Sequence, residues 1–161
     1  MQNSDRSNLE GMILFSLVAI LDILVDQLSK AWIRFHIPLG DWQWEAGFFR
    51  IIHIENSGAA FGLFPGNSAV LASFSLAGAI TIIIFVFFVR HRFPFLRTTI
   101  GRVTLGLILG GIIGNLIDRL RLGHVTDFID FTYWPAFNVA DASVVIGILS
   151  LAYCMLFRYK D

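Results

Sequence analysis

Charge is scarce in this sequence. Only 15% of its 161 residues are charged, against about 25% in ordinary soluble domains, and that shortfall moves the chain toward a lipid environment. Its 12 basic and 12 acidic residues cancel, so it lacks the basic excess of a nucleic-acid-binding surface and no nucleic acid is expected as a partner. Cysteine is nearly missing too. The single Cys154 excludes an intramolecular disulfide and leaves the redox compartment undetermined. The four histidines are scattered and form no HExxH pair, so neither a metal site nor a cofactor is expected.

What the chain does have is apolar length. It is 56% hydrophobic and 14% aromatic. A bilayer core about 30 Å thick needs about 20 helical residues, and four stretches qualify: Met12 to Ile33, Ser68 to Val89, Thr99 to Leu120 and Phe137 to Phe157. The first carries Asp22 and Asp26 and is followed by three more, which argues against a cleaved leader. With no fixed-period repeat, residues 1–161 read as one domain. The expected fold class is an all-α membrane protein, four transmembrane helices carrying a small β-rich extracytoplasmic platform.

Orientation follows from the cations. Arg90, Arg92, Arg97, Arg102, Arg6, Arg158 and Lys160 gather on one side, against Lys30, Arg34, Arg50, Arg119 and Arg121 on the other. The excess places both termini in the cytoplasm and segments 34–67 and 121–136 outside. In the longer outer segment, "GFFRIIHIENSG" alternates well enough for a strand and ends in a turn signal at Asn56, Ser57 and Gly58. Trp42, Trp44, Phe48 and Phe49 suit an aromatic belt at the headgroups. The glycines between Gly58 and Gly66 suggest a segment that moves as substrate enters.

Polar groups inside apolar spans carry most of the information, because each is expensive there. Asp22, Asp26 and Lys30 are spaced by four and share one helical face, where Asp26 and Lys30 can pair as an inter-helix clasp. Asn115, Asp118 and Arg119 share a face at the outer end of the third span. There Asp118 is expected as a structural anchor held ionised by its neighbouring arginine, while Asn115 and Arg119 could meet a substrate carbonyl or anion. "FNVAD" has the form of a helix cap, Asn138 with Asp141 three residues on. Asp127 lies at the far end of the same outer connection, so the two acids can converge. Two carboxylates in a low-dielectric cleft share one proton. One can then activate water while the other protonates a carbonyl.

Other chemistries fit less well. Ser29 and Lys30 are adjacent on a helix and diverge, and Cys154 lies about 20 Å along the helix from Asp141. The main alternative is an ion or proton transporter with a carboxylate-lined path through Asp22, Asp26, Asn115, Asp118 and Asp141. A membrane chaperone for precursor proteins is a third reading.

Four ordered blocks then carry a resemblance: "DQLSK", "ENSGAAFG", "GGIIGNLIDRLRLGHVTDFIDF" and "FNVADASVVIG". Together they resemble the lipoprotein signal peptidase (signal peptidase II) family over nearly the whole chain. The resemblance implies an aspartic endopeptidase of the bacterial inner membrane that cuts before the lipidated cysteine of diacylglyceryl-modified prolipoproteins. It implies Asp127 and Asp141 as the catalytic pair, Asn56, Asn115, Arg119 and Asn138 as substrate-binding or site-ordering residues, and Asp26, Lys30 and Asp118 as support. Membrane lipids and cyclic lipopeptide inhibitors such as globomycin are the further partners it implies. Asp22 is an acid beyond the family pattern.

Overall fold

The computed structural model describes residues 2–58, 66–89, 92, 93, 96, 98–131 and 133–158. The segment expected to move, between Gly58 and Gly66, lies mostly outside the described residues, as do Arg90 and Arg97 of the basic loop.

The first helix, α1 (Gln2–His36), is much longer than the span expected from Met12. Its buried positions, Gly11, Phe15, Ala19, Asp22, Asp26, Lys30 and Ile33, recur every three or four residues, so they form one stripe. Leu17, Leu21, Leu24 and Leu28 are exposed on the other side. Strands β1 (Trp42–Ala46) and β2 (Phe49–Asn56) follow. Helix α2 (Ser68–Ile84) continues into a widened π-type turn at Phe85–Val89.

The third helix, α3 (Thr99–Leu122), starts where the Thr98 hydroxyl accepts from the Gly101 amide. It stops at Gly123, whose φ of 79° places it in the left-handed region. Strands β3 (Val125–Phe131) and β4 (Trp134–Phe137) come next. Helix α4 (Val139–Tyr153) then ends in a second π-type turn, Cys154–Arg158.

Among the described residues, three helices are long and apolar enough to cross a membrane: Ser68–Phe88, Thr99–Leu122 and Val139–Phe157. Helix α3 is the centre of the bundle, 61% of its apolar window being buried against 22% in each of the other two. It packs against α1, α2 and α4. The outward apolar side chains of α2 and α4 suit the lipid contact of an integral membrane protein.

The expected β-rich platform is present, and it extends beyond the segment 34–67 that suggested it. β1, β2, β3 and β4 form a four-stranded antiparallel sheet in that order, so half of its strands come from the outer connection between α3 and α4, where no strand was expected. All four residues from Val125 to Phe128 are buried, so this strand buries both faces and lacks the apolar and polar alternation that marks a half-buried strand. On one face Phe128 packs with Ile33 of α1 and with Ile37 just past its end. The other carries Asp127.

Candidate active site

The site assembles where the sheet crosses one end of the bundle. β3 supplies Asp127, β2 supplies Asn56, the last turns of α3 supply Asn115 and Arg119, and the start of α4 supplies Asn138 and Asp141. All except Asn138 line one cavity of about 980 Å³, near the upper end of the roughly 300–1,000 Å³ of ligand pockets.

Asp127 is 2% exposed. Its Oδ1 accepts from Asn138 Nδ2 at 2.7 Å and its Oδ2 from Asn56 Nδ2 at 2.9 Å. The register pairs Asp127 with Ile54, which puts Asn56 diagonally across from it on the same sheet face. Burial, reinforced by the charge of Asp141, pushes the Asp127 carboxyl up to about 7, against the opposing pull of the two amide donors and Lys30.

Asp141 sits in the first turn of α4 in a reciprocal cap. Its amide donates to Asn138 Oδ1 at 3.0 Å, and its Oδ2 accepts from the Asn138 amide at 3.4 Å. Its Oδ1 accepts from Asn115 Nδ2 at 2.7 Å. Asn138 therefore touches both acids, through its side chain to Asp127 and its backbone to Asp141.

A buried ionic cluster backs this arrangement. Lys30 is wholly buried, 2.9 Å from Asp26 Oδ2 and 3.3 Å from Asp118 Oδ2, and it donates to Asn115 Oδ1 at 2.9 Å. Asp26 also accepts from the Ala140 amide at 3.0 Å. Asp118 accepts from the Thr126 amide at 3.1 Å, one residue before Asp127.

The expected pairing of Asp118 with Arg119 is not what forms. Successive helix residues point about 100° apart, so Asp118 faces α1, meeting Lys30, Gln27 at 3.1 Å and Arg34 at 3.7 Å. Arg119 turns to the cavity instead, with its buried Nε unpartnered among the described residues.

Sequence reasoning gave Gln27, Arg34 and Thr126 no place in the site. Gln27 joins Asp26, Asp118 and the Gly114 carbonyl, and Arg34 reaches Thr126 Oγ1 at 2.9 Å. Gln27 had a signal, its place inside "DQLSK". Arg34 and Thr126 meet only through the fold. The acids proposed for an ion path are engaged here by Ser143, the Ala140 amide, Lys30, Gln27 and the Thr126 amide, as expected of cross-links between elements.

Residues 18–157 match the sequence model of the family described as Signal peptidase (SPase) II. The lipoprotein signal peptidase of Dehalococcoides mccartyi is 45% identical over 141 residues, which cover 88% of this chain and 87% of that protein. That of Moorella thermoacetica is 39% identical over 143 residues, covering 88% and 92%. A solved bacterial membrane enzyme superposes with a TM-score of 0.76 at 27% identity, covering 90% of this chain and 91% of its own. With the match spanning almost every element that builds the cavity, the chain belongs to the signal peptidase II family.

Proposed function

We propose that the chain removes signal peptides from diacylglyceryl-modified prolipoproteins by aspartic catalysis, with Asp127 and Asp141 as the catalytic pair. Peptidase activity on lipoprotein precursors goes with membership of the family. The observation that supports the aspartic assignment is that both carboxyls line one cavity and each accepts asparagine amide donors there.

In this scheme the pair holds one proton, which starts on Asp127, whose affinity for it is raised. Asp141 then starts as the anion, at the positive end of the α4 dipole. Asp141 takes a proton from a water molecule as the water oxygen bonds to the scissile carbonyl carbon, and Asp127 gives its proton to the carbonyl oxygen. The diol collapses as the C–N bond breaks. Asp141 returns its proton to the leaving nitrogen, and a diol hydroxyl reprotonates Asp127. One water is consumed and the pair ends as it began.

Asn56, Asn115 and Asn138 order the acids. Arg119, with an unpartnered buried nitrogen at the cavity, receives a backbone carbonyl of the substrate. Asp26, Lys30 and Asp118 support the pair from behind. The substrate's lipid stays in the bilayer while its peptide enters the cavity, and cyclic lipopeptides such as globomycin block the same cavity. Four helices, α1 included, cross the bacterial inner membrane as one domain, with both termini cytoplasmic and the site near the outer leaflet.

The test is purified protein with a diacylglyceryl-modified precursor, read by product mass. Asp127→Asn and Asp141→Asn are each expected to lose at least about 10³-fold in rate while remaining folded. Substantial cleavage by either folded variant overturns the dyad.

A further inference from the structure

Asp22 is a buried carboxylate that the hydrolytic scheme does not use. It lies one turn before Asp26 on the buried stripe of α1 and is 8% exposed, where an ionisable group carries a heavy desolvation cost. Its Oδ1 accepts from Ser143 Oγ in α4 at 2.6 Å. Its Oδ2 lies against Gly110 of α3, where an added Cβ would stand 2.6 Å away. One turn further along, Asp26 lies against Gly114 in the same manner and accepts from the Ala140 amide.

The two acids therefore cross α3 over two glycines and hold α4 at two points, residues 140 and 143. Asp141 lies between them. The cap at Asn138 fixes Asp141 within its own helix and Asn115 ties both residues to α3, but none of these contacts sets the rotation of α4 about its axis relative to α1. Two anchors less than one turn apart do so, since rotating α4 would break both.

We propose that Asp22 is a positioning residue for peptide cleavage: through Ser143 it locks the first turn of α4 so that Asp141 faces the scissile bond. This rests on the assignment of Asp141 to the catalytic pair. A nucleophilic water must be held within a few tenths of an ångström of its attacking position, and a displacement of about 1 Å can cost about 10²-fold in rate. Release of one of two anchors should therefore act on kcat. Binding of the signal peptide, spread over the whole cavity, should change little.

The experiment uses the full-length protein in phospholipid nanodiscs with a diacylglyceryl-modified precursor, and rates are normalised to folded, monodisperse protein. Ser143→Ala removes one oxygen and the anchor with it, so kcat is expected to fall about tenfold with KM within about twofold. Asp22→Ala should match it, and the double variant should be no worse than either alone. Asp22→Asn keeps an acceptor for Ser143 and should retain most of the rate. Wild-type kcat in Ser143→Ala overturns the proposal, and so does an additive double variant, a loss confined to KM, or Asp22→Asn as slow as Asp22→Ala. If Asp22→Ala does not assemble, Ser143→Ala and Asp22→Asn still decide. Asp141→Asn in the same assay separates the two readings: cleavage there sinks the dyad, whereas an inactive Asp141→Asn beside a full-speed Ser143→Ala sinks only the anchor.

Discussion

Three asparagines meet the acids one way round because each is oriented by a group that can only donate. The Gly58 amide holds Asn56 Oδ1, the Lys30 ammonium holds Asn115 Oδ1 and the Asp141 amide holds Asn138 Oδ1. Each side-chain NH₂ is thereby turned toward a carboxylate. On Asp127 such donors favour the anion and oppose the burial that raises its proton affinity to about 7. In the proposed scheme Asp127 must be protonated, so kcat/KM should decline as pH rises through about 7. Asn56→Ala removes one donor, so Asp127 keeps its proton to higher pH and the alkaline limb should move up. A limb that stays put or moves down in a pH–rate profile would contradict this. Asp118→Asn acts differently. It takes one of two carboxylates from the wholly buried Lys30, so folded protein should lose about 3 kcal/mol, while the rate per folded molecule changes little. Denaturant titration beside turnover separates the two effects. The cap at Asn138 is legible in sequence because its partners are three residues apart. Asn56 on Asp127 is not, since that contact exists only through the register of β2 on β3.

Between elements, glycine sets how closely helices approach. Gly106, Gly110 and Gly114 are spaced by four and form a smooth strip of α3 beneath α1, while Gly111 and Gly147 line the contact of α3 with α4. A Cβ on Gly114 would stand 2.6 Å from Asp26 Oδ2 and 3.2 Å from Ala140 Cβ. Asp26 cannot yield, being held by Lys30 and the Ala140 amide. Gly114→Ala should therefore cost about 1–3 kcal/mol by overpacking and also slow cleavage, because Asp141 adjoins Ala140. Gly123→Ala is the control. It meets open space, so the left-handed backbone alone costs about 1–2 kcal/mol, and turnover per folded molecule should hold. Thermal unfolding with parallel turnover distinguishes them, and equal turnover losses would refute the packing argument. The four helices are visible in sequence as runs of apolar residues. Strand β3 is not, because a strand largely buried on both faces that carries Asp127 and Asp130 has neither an alternating pattern nor a purely apolar one, and β4 is only four residues long with Pro135 inside it.

Across the whole molecule, polarity is distributed by depth. Asp141 lies in the first turn of α4 and Asn115 and Arg119 in the last turns of α3, so the cavity opens at one end of the bundle with the sheet laid across it. All four tryptophans belong to that end: Trp32, Trp42, Trp44 and Trp134, each about half exposed. Amphipathic indoles at one level mark a membrane interface. Arg92 belongs to the opposite end, in the basic connection between α2 and α3, whose charge sets the proposed cytoplasmic side. Lipids brominated near the headgroup should therefore quench tryptophan fluorescence more than lipids brominated deep in the chain. The native Cys154 is 4% exposed and gives little background to a membrane-impermeant thiol reagent. In sealed cells Gln43→Cys should react at once, because Gln43 is exposed in β1 beside two tryptophans. Arg92→Cys should react only after the membrane is opened. Labelling in the reverse order would turn the protein over and put the cavity on the cytoplasmic face, where a precursor's exported, lipidated cysteine could not reach Asp127 and Asp141.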